Sequence, residues 1–289
     1  MKNTTYVICT DSASDMPPEM LSELGITATP LTFRFDGETQ DHADGSMRSE
    51  EFYTKMKEGS IAKTSAANTE SFVLDFKKHL DLGYDVLYLG FSSALSTTYN
   101  SARIAAETLA AEYPDRKILT VDMLCASAGG ALLIDAVLEK KNQGATIDEA
   151  AEYAEKIKLN ICHWFTVDDL VYLKRGGRVS PTVAFVGNVL GIKPVMHVDN
   201  EGRLVKVGKV RGRKNSITEL ADKYGELRLD KESKVYISHG NCLEDAQLLA
   251  KTIEEKYGKR IDLITNVGPV IGAHSGPGTL ALFFLGKER

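Results

Sequence analysis

Three clusters of hydroxyl-bearing residues carry the chemistry that this chain could perform. Ser92, Ser93 and Ser96 follow the unbroken apolar run Val86-Leu87-Tyr88-Leu89 and Gly90. Thr64-Ser65 forms a turn ahead of the apolar-periodic segment Thr69 to Leu80, and His274-Ser275 lies in the glycine-rich turn Gly272 to Gly278. A strand-to-helix turn collects free backbone N–H groups and the positive end of a helix dipole, so it suits a carboxylate or a phosphate. The three clusters are expected to converge on one acidic ligand group. Arg178, after Gly176-Gly177, reads either as an ordinary helix-end cation or, with two glycines before it, as a cation reaching inward, Arg175 being the lesser substitute. Taken singly, Thr64 and Ser65 also fit the capping of the next helix, and the serines the satisfaction of a buried turn.

A second chemistry competes for the same residues. Gly90-Phe91-Ser92-Ser93-Ala94 is one residue from the G-x-S-x-G elbow of serine hydrolases, and Ser92, Asp168 or Asp169, and His274 occur in that fold's triad order. Ala94 puts a methyl group where the elbow needs glycine, and no oxyanion-hole motif precedes Ser92. A serine esterase using Ser92 and His274 is therefore the alternative. Asp11, Asp15, Asp41, His42 and Asp44 fit no metal-ligand spacing and read as capping and loop polarity.

The elements that must position these residues alternate. Thr5 to Thr10, Ile26 to Phe35, Asp85 to Leu89 and Lys117 to Val121 read as strands, separated by helices at Pro17 to Leu24, Thr69 to Leu80, Ala102 to Leu109, Ala126 to Lys140 and Thr146 to Lys158. This pattern predicts an α/β fold with a doubly wound layer and a largely parallel sheet, ligands sitting at the carboxyl ends of the strands. After Asn160 the pattern changes to an α+β unit. Pro194 to His197 and Leu204 to Val210 pair through the turn Asp199 to Gly202, and Pro181 to Gly191 reads as an apolar helix. Two domains are expected, 1–160 and 161–289.

The totals narrow the function. A chain of 289 residues exceeds what one compact core usually absorbs. A formal charge of −5 without basic blocks argues against nucleic acid as the main partner. Cys9, Cys125, Cys162 and Cys242 stand singly, so reduced thiols in the cytoplasm are expected and a zinc site is not. No window reaches the ~20 apolar residues of a spanning helix. Arg203, Lys206, Lys209, Arg211, Arg213 and Lys214 crowd one hairpin, either as a solvated face or as a docking surface for an acidic partner.

Eight motifs in order resemble the DegV family of bacterial fatty-acid-binding proteins: TDSASDMP (Thr10 to Pro17), KTSAAN (Lys63 to Asn68), FSSALSTTYNSA (Phe91 to Ala102), VDMLCASAGG (Val121 to Gly130), DDLVYLKRGGRVS (Asp168 to Ser180), GNVLGIKPV (Gly187 to Val195), KVRGRKNSI (Lys209 to Ile217) and GPVIGAHSGPGTLALFF (Gly268 to Phe284). The resemblance implies a carrier rather than a catalyst, with no cofactor beyond a palmitate-like long-chain fatty acid. It implies a ligand held between the two domains, its carboxylate held by Thr64, Ser65, Ser93 and Ser96 and supported by His274 and Arg178. The apolar segment Phe185 to Ile192 is a candidate tunnel wall or, equally, plain core. The resemblance further implies presentation of the acid to a fatty acid kinase that makes acyl-phosphate for phospholipid synthesis. Arg203, Lys209 and Arg211 are then docking candidates, and transient membrane contact is admitted. Ala66-Ala67 stands where the family commonly has Gln-Pro, and Thr97 where it has Gly.

Overall fold

A computed structural model describes residues 6–180 and 191–289. Strands β1 (Tyr6–Asp11), β2 (Thr27–Thr29), β6 (Asp85–Gly90) and β7 (Ile118–Asp122) form a sheet of order β2-β1-β6-β7, every pair parallel. Val86 to Leu89 are buried without alternation because helices cover both faces. Helices α3 (Thr69–Leu80) and α4 (Thr98–Glu112) pack Phe72, Phe76 and Leu109 with Val86 and Tyr88. Helices α5 (Ala128–Asn142) and α6 (Ile147–Ile157) pack with Leu87 and Leu89 on the other side. The doubly wound parallel layer is as the periodicity predicts.

The stretch Ile26 to Phe35 is not one strand. Pro30 separates β2 from β3 (Thr32–Phe35), which leaves the parallel sheet and pairs antiparallel with β4 (His42–Ala43) and β5 (Ala62–Ser65). Thr64 and Ser65 therefore end a strand, in register with Phe33 and Thr32, rather than forming a turn.

From Ile161 onward the strands join a different sheet, of order β10-β9-β8-β13-β11-β12. It comprises β8 (Ile161–Thr166), β9 (Ile192–Val198), β10 (Leu204–Arg211), β11 (Val235–His239), β12 (Leu263–Asn266) and β13 (Leu280–Leu285), antiparallel except for β11 with β12. Among the described residues, no strand before Asn160 pairs with one after it. Helices α8 (Arg213–Leu227) and α9 (Leu243–Tyr257) cover one face, over Trp164, Ile237 and Leu282. The opposite face carries Phe165, Ala281 and Phe283 against α5. Helix α5 thus lies between two sheets, which is why Ala128 to Leu133 are buried on all sides of it.

Contacts besides those of α5 tie the halves together. Helix α10 (Pro269–Ser275) packs on α2 (Ser49–Lys57), β3 and β5. Arg289 donates from Nη2 to the Lys158 carbonyl (2.7 Å), from Nη1 to those of Leu124 (2.8 Å) and Asp199 (3.1 Å), and from Nε to that of Ile161 (3.0 Å). The expected helix Pro181 to Gly191 and most of the tunnel-wall segment Phe185 to Ile192 lie outside the described residues; Ile192 opens β9.

Candidate functional site

A cavity of about 440 Å³ lies between the halves, in the size range of small-molecule pockets. Thr64, Ser65, Ser93, Ser96, Arg178 and His274 all line it. The structure brings residues of all three clusters to one cavity. Most of the remaining lining is apolar, with Leu31, Phe91, Leu95, Phe165, Leu173, Val198, Leu204, Val270, Ile271 and Phe283.

Thr64 Oγ1 and His274 Nε2 are 2.7 Å apart, joining the end of β5 to α10. The room for the imidazole comes from Gly176, where a Cβ would lie 2.0 Å from His274 Nδ1. Burial, helped by the Arg178 charge, pushes the imidazole down to about 4, so it is neutral near pH 7. Its Nδ1 is buried and has no hydrogen-bond partner among the described residues. Arg178 donates from Nε (3.1 Å) and Nη2 (2.9 Å) to the Leu95 carbonyl, and from Nη1 to that of Gly176 (2.6 Å). The Leu95 carbonyl thus aims the guanidinium beside the imidazole. Arg175 is exposed and stacks over Tyr172 instead.

Three expectations change. Thr64 and Ser65 do not cap α3, since Asn68 Oδ1 accepts the Ser71 N–H at 2.9 Å. The serine turn does not offer a nest of free N–H groups. Phe91 N–H goes to Asp11, Ser92 N–H to the Cys125 carbonyl and Ser93 N–H to Asp122, while those of Leu95 and Ser96 reach the Ser92 carbonyl. Ser96 also serves its own helix, its Oγ accepting the Thr98 N–H at 3.2 Å. Thr97, at φ −78°, holds an ordinary conformation that needs no glycine.

The residues of the hydrolase alternative fall into separate hydrogen-bond groups. Ser92 is fully buried and donates to the Gly202 carbonyl at 2.9 Å. Asp168 pairs with Lys193 (2.6 Å) and Arg213 (3.7 Å), Asp169 accepts the Val171 N–H, and His274 bonds Thr64. Asp11 and Asp122, at the ends of β1 and β7, hold the serine turn between them. Asp11 accepts from Tyr88 Oη (2.6 Å), the Phe91 N–H (2.9 Å) and the Ala13 N–H (3.1 Å), and burial pushes its carboxyl up to about 6.

Sequence reasoning missed His163, Ser127 and Ser238, which also line the cavity. His163 is fully buried and neutral, because burial and then the Arg289 charge push it well below the usual range. Its Nδ1 donates to the Ile161 carbonyl and its Nε2 accepts the Ala126 N–H. No local signal marks a histidine or serine inside an apolar strand as lining a cavity, so only the sheet register reveals His163 and Ser238, while Ser127 is brought in by the start of α5. Among the described residues, no cluster of metal-ligating side chains occurs, and no helix is long and apolar enough to cross a membrane.

A family model described as "Uncharacterised protein, DegV family" matches residues 5–287. The chain belongs to the DegV family. It is 43% identical to a DegV domain-containing protein of Clostridium perfringens over 98% of each chain. It is 34% identical to a fatty acid-binding protein of Thermotoga maritima, again over 98% of each. The solved DegV-family structures include a stearic acid-binding protein from Eubacterium ventriosum. That structure superposes with a TM-score of 0.88 at 27% identity, covering 98% of each chain. The α/β arrangement with its parallel sheet is therefore the DegV fold.

Proposed function

We propose that this protein is a carrier that binds a long-chain fatty acid between two units, 1–160 and 161–289. The observation that carries the reading is the meeting of Thr64, His274 and Arg178 in a cavity otherwise lined largely by apolar side chains. Ser65, Ser93 and Ser96 add hydroxyls from the same lining. Hydrogen bonds to a charged group are worth about 1.5–3 kcal/mol each. Each buried methylene adds about 0.8 kcal/mol, so a palmitate-like tail outweighs its headgroup in affinity and the headgroup sets direction. The binding of stearic acid by the Eubacterium ventriosum relative supports this ligand class.

The further reading is that the carrier, in the cytoplasm and with transient membrane contact, presents its acid to a fatty acid kinase. Arg203, Lys209 and Arg211 are exposed on the edge strand β10 and its turn, and have no carboxylate partner among the described residues. Arg213, by contrast, is taken up by Asp245 and Asp168.

Native mass spectrometry of the purified protein, followed by denaturing extraction, tests the ligand class. A released mass matching a saturated or unsaturated long-chain acid is expected. A protein that stays unliganded after incubation with palmitic, stearic and oleic acids overturns the reading. Thr64→Val and Ser93→Ala should each weaken binding, Thr64→Val by about tenfold. Unchanged affinity in both would reject the site assignment.

A further inference from the structure

The sheet register gives the cavity a scale of depth. Thr279 marks the carboxylate end, its Oγ1 donating at 2.7 Å to the carbonyl of Gly276, which follows His274 closely in the chain. Ala281 and Phe283 come next on the same face of β13, in register with Phe165 and His163 of β8. All of these residues line the cavity. Four residues of strand carry Phe283 about 13 Å away from Thr279. The following register pair on that face, Ile161 with Leu285, is not part of the described lining. Leu204 of β10 and Val198 of β9 form another register pair in the lining. Val198 follows His197, the partner of Trp164, so this pair continues the row of His163 and Phe283. The cavity therefore ends on one transverse row: Leu204, Val198, His163 and Phe283.

His163 is the fixed member of that row. Its Nδ1 donates to the Ile161 carbonyl at 2.9 Å and its Nε2 accepts the Ala126 N–H at 3.3 Å. Its ring meets Phe283 edge-on, with centroids 5.3 Å apart and planes at 87°. A Cβ at residue 129 would lie 2.1 Å from His163 Nε2, so the imidazole fills space that Gly129 leaves open on α5. Turning the ring aside would break two buried hydrogen bonds. The layer behind it is polar. The Ile161 carbonyl also accepts from Arg289 Nε at 3.0 Å, and the same guanidinium bonds the carbonyls of Leu124, Lys158 and Asp199. An apolar chain pushed past His163 would disturb these bonds and offer none in return.

We propose that His163 sets the longest acyl chain this carrier accepts, with the methyl end of the acid resting on the row that His163 forms with Phe283 and Val198. The inference rests on the fatty-acid reading and deepens it from a ligand class to a limit on chain length. A leucine at position 163 would yield by changing rotamer, whereas a histidine bonded at both ring nitrogens is a fixed stop. Methylenes up to the row gain burial, and methylenes beyond it gain none.

Calorimetric titration with the even-numbered saturated acids from decanoic to arachidic tests it. In the wild type each added methylene should tighten binding by about fourfold until the chain reaches His163, and further methylenes should add nothing. His163→Ala should move that limit to a longer acid. Ala281→Leu, one row nearer the carboxylate end, should move it to a shorter one. Circular dichroism checks that both variants fold. A limit that neither folded variant moves, or no limit as far as arachidic acid, overturns the proposal. The wild type gives a second measurement that needs no variant. Palmitic acid carrying a terminal diazirine, photolysed in the complex and mapped by peptide mass spectrometry, should label His163, Phe283 or Val198. Labelling confined to Leu31, Val267 or Val270 would put the methyl end against another wall and overturn the proposal. Binding of none of these acids would overturn the fatty-acid reading itself, a separate result.

Discussion

His274 shows how one side chain depends on atoms that are missing elsewhere. Its ring occupies the space that a side chain at residue 176 would fill, and Gly176 has an ordinary φ of −73°. Gly176→Ala therefore introduces crowding without backbone strain. It should displace the imidazole from Thr64 and raise the Kd for a fatty acid about tenfold while the protein stays folded. Titration of the purified variant checks this, and an unchanged Kd would remove His274 from the site. Asp11 gives a second test. Its folded carboxyl sits at about 6, above the ordinary 3.8, so its contribution is fully present below pH 3.8 and is lost as pH rises through 6. Asp11→Asn lacks that loss. The variant loses a hydrogen-bond acceptor at every pH, but its Tm relative to wild type should climb between about pH 4 and 6 and level off above. A flat difference would mean that Asp11 does not titrate there.

At the scale of elements, the β9–β10 hairpin closes over the serine turn. Gly202, at φ +77°, presents its carbonyl to Ser92, and a Cβ there would lie 2.3 Å from Ser92 Oγ. Gly202→Ala combines a left-handed backbone with a clash against a buried hydroxyl. The expected cost is about 1–3 kcal/mol, read from urea unfolding. A neutral result would show that the hairpin is free to lift from the turn. The hydroxyl that resembles a nucleophile in sequence is thus a fastener between elements, because an adjacent strand end, not solvent, takes its hydrogen bond.

For the whole molecule, the cavity reaches the edge strand β10 at Leu204, whereas Lys209 and Arg211 lie further along it and outside the lining, so cavity and basic patch should fail independently. The double substitution Lys209→Glu with Arg211→Glu should leave fatty-acid Kd within about twofold and lower acyl-phosphate formation with a cognate fatty acid kinase at least tenfold. Loss of both functions together would argue for a folding defect, and loss of neither would place the partner elsewhere. Arg289 acts at this same scale. It bonds carbonyls from the loop after β7, the segment before β8 and the β9–β10 turn, and so sets the halves against each other.

The alternation of apolar runs and periodic segments determined the doubly wound layer, because a strand buried on both faces must be continuously apolar and its covering helices must be amphipathic. The change of pattern near Asn160 marked where the strands move to a second sheet. Thr64, Ser65, Ser93 and Ser96 were legible as candidates for a similar reason, since hydroxyls and glycines that interrupt apolar segments sit at element ends, whereas the roles given to Arg178 and His274 came from the family's motifs. Tertiary structure alone decided which hydroxyls are free. Ser92 and Ser96 are engaged by Gly202 and Thr98, whereas Ser275 is not. It also decided that the N–H groups of Phe91, Ser92, Ser93, Leu95 and Ser96 are spent on Asp11, Asp122 and nearby carbonyls, and that Ser238 and Ser127, 111 residues apart, meet in one cavity. Local sequence sets what each residue can donate, but the partner that uses it lies on another strand, brought there by sheet register and by burial of the shared core.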